Sequence, residues 1–450
     1  MPKPPIKYYL ATLVVLVASS LHLSAQGGLS ITDVKEKLKA YFADELLADL
    51  EKVMPQGAQY RIWGWDVGDF TGDGYNDVAL SVYTSGTRKK ECTVHMIADV
   101  DGFLTDVATF NVPFVDLPLE VGVVIKDTTC FIARKRKSDD WGMKGYRFVA
   151  GSVVLVDEFN SNQLSGFAHE DYRNYVTLDT REEFSNDKGK VLFESQYLTI
   201  PCYERGRQLF AGSYAEVAPS SIRNVLEGSY WWEGADDASF STRFVYDEEN
   251  IYVRVNVYDS NVVTGWCDTC IADRLEVWFE VNNRAEKDYS RTIERVSRKG
   301  IQPRNEVDSG IYALLVKIGD FEDIPPTIKV KTTDELDPIQ QAALENVRVV
   351  TGQRSDGYVV KLRIPMELLG FAQPPIDDDV LTEYGCTVVL HDVDNEFRPE
   401  ETTTIATSRL SKLDPSTYGA IRFVPAKRWY GETRNIFTDA VLTTLRELGF

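Results

Sequence analysis

The chain has 450 residues, 43% of them apolar, and a formal net charge of −20. That length supports two or three domains with proper cores. A negative field of this size repels nucleic acid and anionic membrane surfaces and excludes them as general partners.

The chain opens as a secretion signal. Lys3 and Lys7 form a short positive region, Leu10–Leu23 is mostly apolar, and Leu23-Ser24-Ala25 presents a small residue for a cut before Gln26. The apolar run is short for a bilayer span, and no later segment is long and apolar enough to provide one. The expected location is secreted, periplasmic or at the cell surface, with an uncleaved anchor as the rival reading. No Cys follows the cut, which argues against a lipid anchor there.

Residues 31–54 read as one amphipathic helix. Thr32 or Asp33 caps it, and Val34, Leu38, Tyr41, Phe42, Leu46, Leu47 and Leu50 recur at helical spacing. Next comes Gly68-Asp69-Phe70-Thr71-Gly72-Asp73-Gly74-Tyr75-Asn76-Asp77. Asp69, Thr71, Asp73 and Asp77 stand at alternate positions of one short loop, and Gly74 permits a sharp turn. Side-chain oxygens so spaced, with the Tyr75 carbonyl, can converge on a hard cation such as calcium. The apolar run after it, Val78–Tyr83, is a strand and not the second helix of an EF-hand. The loop resembles the FG-GAP repeat of integrin-type propellers, D-x-N-x-D-G-x-x-D-L, with Thr71 at the third position and Val78 at the last. The resemblance implies a structural calcium. A turn that binds nothing is the alternative.

Short strands with turn signals follow. Cys92–Asp99 and Thr105–Phe110 flank the hairpin signal Asp101-Gly102, and Val121–Ile125, Cys130–Arg134, Tyr146–Val149 and Val153–Phe159 continue the series. Leu164–Asn174 is polar and reads as a loop. The expected first domain, residues 26–214, is a helix plus a β domain, a propeller-like fragment. Cys92 and Cys130 lie on separate strands and are placed to pair across a sheet; Cys267 and Cys270 read as a local disulfide, free thiols or a metal pair.

From about residue 215 the pattern strengthens. Thr242–Tyr246 and Ile251–Asp259 flank the turn Asp247–Asn250. Asp273–Glu280, Gly357–Pro365, Cys386–Val393 and Tyr418–Phe423 then alternate or run apolar as half-buried strands do. This succession resembles the family 9 carbohydrate-binding modules, whose pieces run W-D-x-x-x-L-Y-V, D-S-V-E-I-F-I-D, G-Y-x-V-E-x-x-I-P and F-G-x-I-R. The resemblance implies an antiparallel β-sandwich over 215–425, often with structural calcium, and a sugar held between aromatic faces. The family's tryptophan before the second piece falls on Trp266, and its sugar-contacting carboxylate falls on Glu276. The second clamp tryptophan is missing from Lys412-Leu413-Asp414-Pro415-Ser416, and the family's arginine has no counterpart in 310–316. Trp231 and Trp232, if on a strand, point to opposite faces, so one is core. Trp278 faces away from Leu275 and Val277, either as core or as a surface platform. The basic insert 283–306 reads as a solvated loop, and 426–450 as a C-terminal helix.

The expected fold is therefore mostly β: a helix plus β domain, then a sandwich. No H-E-x-x-H, G-x-S-x-G, P-loop or dinucleotide fingerprint is present. The expected function is non-catalytic carbohydrate binding with a calcium cofactor and a glycan or polysaccharide partner. The alternative is an envelope adhesion or assembly protein that docks a cell-surface protein. A glycoside hydrolase with an unrecognised carboxylate pair is the third reading.

Overall fold

The computed structural model describes residues 28–424 except 55–58, 86–89, 113–119, 138–139, 150–151, 165, 206–216, 220, 266–270, 282–309, 377–381, 399–400 and 413. The expected signal, Trp266, the Cys267/Cys270 pair, the basic insert and the C-terminal helix lie outside the described residues. The protein is mostly β, with antiparallel sheets and a sandwich. Its described residues divide into two compact units. The first runs to Val176 and takes in Phe184–Val191; the second holds Thr177–Glu183 and the chain from Leu192 onward.

In the first unit the expected single helix is two: α1 (Ile31–Leu38) and α2 (Asp44–Val53). Ser30 caps α1 in a capping box with Asp33, each taking the other's backbone N–H. The helical spacing continues across the break because Phe42, in the connection, is buried beside Leu38 and Leu47. Strands β1 (Gln59–Gly68), β2 (Asp77–Ser85), β3 (Lys90–Val100) and β4 (Phe103–Val112) form one antiparallel meander. Asp101 and Gly102 both take positive φ at the β3–β4 turn, as a two-residue hairpin requires. Val78, Leu80 and Val82 pack with the helices. On the other face of β2, Ala79 joins the core shared with the next sheet, and Ser81 donates to the Val121 carbonyl at 2.9 Å.

That next sheet is the meander β5 (Glu120–Lys126), β6 (Thr129–Lys137), β7 (Asp140–Val149), β8 (Ser152–Leu164) and β9 (Phe167–Asn174). β9 replaces the loop expected over Leu164–Asn174. Its polar side chains are paired across the strands: Tyr172 and Asn174 both donate to Asp157, and Asn160 donates to Asp171. Composition hid this strand because its polar groups are satisfied by each other instead of by water. Cys92 and Cys130 are free and buried in the core between the sheets, and burial pushes the Cys92 thiol up to about 12.

The second unit holds β10 (Asp179–Ser185, shared with the first), β11 (Val191–Glu204), β12 (Val225–Glu227), β13 (Ala238–Tyr246), β14 (Asn250–Asp259), β15 (Arg274–Glu280), β16 (Ile311–Lys317), β17 (Thr327–Thr332), α3 (Pro338–Leu344), β18 (Arg348–Arg354), β19 (Gly357–Pro365), β20 (Thr382–Val393), β21 (Thr402–Ala406) and β22 (Ala420–Val424). One layer has the order β18–β19–β14–β13. The other has the order β17–β16–β15–β20, and the far side of β20 pairs with β22 along one half and β21 along the other. β11 runs parallel to both β13 and β22, so this unit takes in chain well before Ala215, where the boundary was expected. Phe244 of β13 meets Phe279 of β15 edge to face at 6.4 Å, inside one apolar core shared by the layers.

Phe244→Ala should destabilise the second unit by about 3–5 kcal/mol, because it empties the centre of that core. Urea unfolding read by tryptophan fluorescence checks this; a loss under about 1 kcal/mol would contradict the packing described.

Candidate functional site

Among the described residues, one group of acids lies where three strands of the sandwich begin or end. β14 of one layer ends on Asp259. Asp273 leads into β15 of the other layer, and Asp392 is near the end of β20. Each offers a carboxylate oxygen, and these lie within 4.8 Å of one another. All three residues are buried. Asp273 accepts from the Val393 amide at 2.9 Å and the Val263 amide at 3.2 Å, and Asp259 accepts from the Asn261 amide at 2.6 Å. One oxygen each of Asp259 and Asp392 is buried with no hydrogen-bond partner, as is the hydroxyl of Tyr358 on β19.

Burial and then the neighbouring carboxylates push all these acids upward. Asp392 reaches about 9, Asp394 on the adjoining loop about 6, and Asp273 is well above its ordinary value. The Tyr358 phenol is also raised, by burial first and then by the three aspartates. Buried like charges with spare oxygens need either protons or a cation. The donor set is all oxygen, with no thiolate or imidazole, which fits a hard cation of the calcium or magnesium class. The sequence reading passed over this cluster. An Asp flanks an apolar run in Val257-Tyr258-Asp259, Asp273-Arg274-Leu275 and His391-Asp392-Val393, but nothing in those runs shows that the three meet.

The Asp69–Asp77 loop is built differently. Asp77 is fully buried and accepts from the amides of Phe70, Thr71 and Asp99 and from the Thr71 hydroxyl. Asp69 accepts from the amides of Gly72, Asp73 and Gly74. Gly72 and Gly74 both take positive φ to aim those amides inward. Asp73 caps the Tyr75 amide, and the Tyr75 side chain is exposed. Asp69, Thr71 and Asp77 thus stand in one chain of contacts, with Thr71 Oγ1 at 3.3 Å from Asp69 and 3.0 Å from Asp77.

Glu276 lies on the outer face of the β15 layer. It accepts from Trp278 Nε1 at 2.7 Å, and His391 Nε2 and Lys412 Nζ each lie 3.1 Å from it. Burial opposes its charge, but His391, Trp278 and Lys412 together outweigh that and hold it at about 2. Trp278 packs with Ile311, Val389 and Tyr418 in a small apolar cluster apart from the main core, and Lys412 lies 5.4 Å from its ring centre. Trp278 is therefore a buried support and not a surface platform. Trp231 and Trp232 sit on a turn instead of a strand. Trp232 packs on the core and donates to the Ala238 carbonyl, whereas Trp231 is half-exposed and meets the exposed Tyr230 edge to face at 5.0 Å.

With this geometry in view, comparison with known proteins gives a match between residues 210–308 and the family described as Carbohydrate family 9 binding domain-like. Over those residues the chain is similar to that family. Two solved structures similar to it are a family 9 carbohydrate-binding module from Caldicellulosiruptor kristjanssonii with cellotriose (15% identity, TM-score 0.32) and one with glucose (14%, 0.32). They cover 50% of this chain, and the matches span 93% and 95% of theirs. A putative carbohydrate-binding protein from Bacteroides uniformis is 9% identical, covering 50% of this chain and 98% of its own, with a TM-score of 0.31. A search of curated proteins found no match.

The raised acids set a pH dependence. An acid with a higher pKa folded than unfolded binds more protons in the folded state, so stability falls as pH rises between the two values. With divalent cations chelated, the thermal midpoint of the second unit should fall steadily from about pH 4, the unfolded carboxylate range, to about pH 9. Asp392→Asn should flatten that slope in a thermal-melt series.

Proposed function

We propose that this protein is an exported, non-catalytic carbohydrate-binding protein, with residues 215–425 as the binding module. The observation that carries the reading is Glu276. It stands in the segment that matches the family model, on an outer sheet face, and is held ionised at about 2 by His391, Trp278 and Lys412. Trp266 is assigned the stacking role that the resemblance implies. Among the described residues no helix is long and apolar enough to cross a membrane.

Calcium belongs to the same proposal. The cluster Asp259, Asp273 and Asp392 draws ligands from both layers, so a cation there would tie the sandwich together. Asp69, Thr71, Asp73, Asp77 and the Tyr75 carbonyl are assigned a second calcium position on the spacing of the loop alone, against the backbone amides that Asp69 and Asp77 already accept. A protein-docking role at the cell surface is the second reading, favoured by the exposed Tyr230 and Phe397.

A glycan array and polysaccharide pull-down on the full chain, with calcium present or chelated, tests the first reading. Glu276→Ala and Trp266→Ala should each weaken sugar binding by about tenfold or more, in line with loss of a charge-assisted hydrogen bond or a stacked ring. Folded protein that binds no glycan would remove the reading and favour docking. In a calcium titration followed by thermal melting, Asp273→Asn should abolish most of the calcium-induced rise in midpoint. Asp69→Asn should remove one bound ion by equilibrium dialysis; unchanged stoichiometry would clear the loop of that role.

A further inference from the structure

We infer that the Glu276 face selects anionic glycans, those bearing carboxylate or sulfate groups, over neutral ones. The inference rests on the carbohydrate-binding reading and names the ligand class for it.

The sheet register places the residues. Arg274 pairs with Lys317 on β16, Glu276 with Leu315, and Trp278 with Ala313. On β17, Lys329 is opposite Leu315 and Lys331 is opposite Ala313. Cross-strand partners share a face, as do residues two apart along a strand. Arg274, Lys317, Lys329 and Lys331 therefore flank Glu276 and Trp278 on one surface, and all four are exposed. Neighbouring strands are about 4.8 Å apart, so Lys329 and Glu276 are separated by roughly 10 Å at the backbone. Lys412 reaches in from the loop before β22 and pairs with Glu276, its own side chain half-exposed.

The carboxylate at the centre is thus already taken by an internal cation. What this face offers a ligand is ammonium and guanidinium groups with the neutralised Glu276 beneath them. The chain as a whole is at −20, so such a face is a local reversal of sign. Lysines that point outward from an edge strand also guard against edge pairing, which would account for Lys329 and Lys331. It does not account for Arg274, on a strand paired on both sides. Clustered exposed cations attract anions and gain little from a neutral sugar, so charge decides selectivity here.

The test uses the full chain with calcium present and four immobilised polymers: polygalacturonate, a sulfated galactan, neutral xylan and duplex DNA. The variant is the double change Lys329→Glu and Lys331→Glu, both exposed and outside the Glu276 contacts, with its unfolding midpoint compared to the parent. The expected result is binding to polygalacturonate or the sulfated galactan, and which of them binds identifies the recognised group. That binding should weaken at least tenfold in the variant at an unchanged midpoint, and by about tenfold between low and high salt as screening shortens the field. Xylan bound equally by parent and variant would overturn the inference and leave the carbohydrate-binding reading standing. No binding to any of the glycans would overturn both. DNA held as tightly as the acidic glycan would overturn it too, since the surface would then be a general polyanion site.

Discussion

Closure of the sandwich depends on bringing three carboxylates together in its interior. Asp259 comes from one layer, and Asp273 and Asp392 come from the other, so the layers cannot reach this arrangement without crowding negative charge. Backbone amides meet part of the demand, at Asp259 from Asn261 and at Asp273 from Val263 and Val393. The rest must come from protons or a cation, because buried ionised oxygens without a partner are strongly unfavourable. The cluster sits at the strand ends, next to the loop that carries Asp394.

Glu276 and Asp392 show how the same chemical group takes opposite characters within one domain. Both are buried carboxylates, yet one is held at about 2 and the other at about 9. The difference is the company each keeps. Glu276 has an indole N–H, an imidazole and an ammonium around it, whereas Asp392 faces Asp259, Asp394 and Asp237. The first environment keeps a hydrogen-bond acceptor charged on a sheet face, and the second favours capture of a positive ion. Two opposite electrostatic environments thus stand on the same layer, set by the neighbours of each carboxylate.

The first unit solves a smaller version of the same problem with the backbone and one hydroxyl. Asp77 is fully buried, but four donors surround it, and the loop carrying Asp69 folds its amides around a second carboxylate. The loop braces the β1–β2 connection by this means, and its two positive-φ glycines are what make the inward-facing amides possible.

The sequence by itself determined the class of fold, most strand positions in the second half and the place of Glu276, because period-two burial and turn residues are local properties. It misplaced α1 and α2 as one helix, since Phe42 keeps the apolar spacing through a break that only packing reveals. It passed over β9, whose polar residues find partners on β8 and not in water. Above all it gave no sign that Asp259, Asp273 and Asp392 meet, or that Lys412 covers Glu276. Those contacts join residues far apart in the chain, and only the pairing of β15 with β20 and the stacking of the two layers bring them within reach.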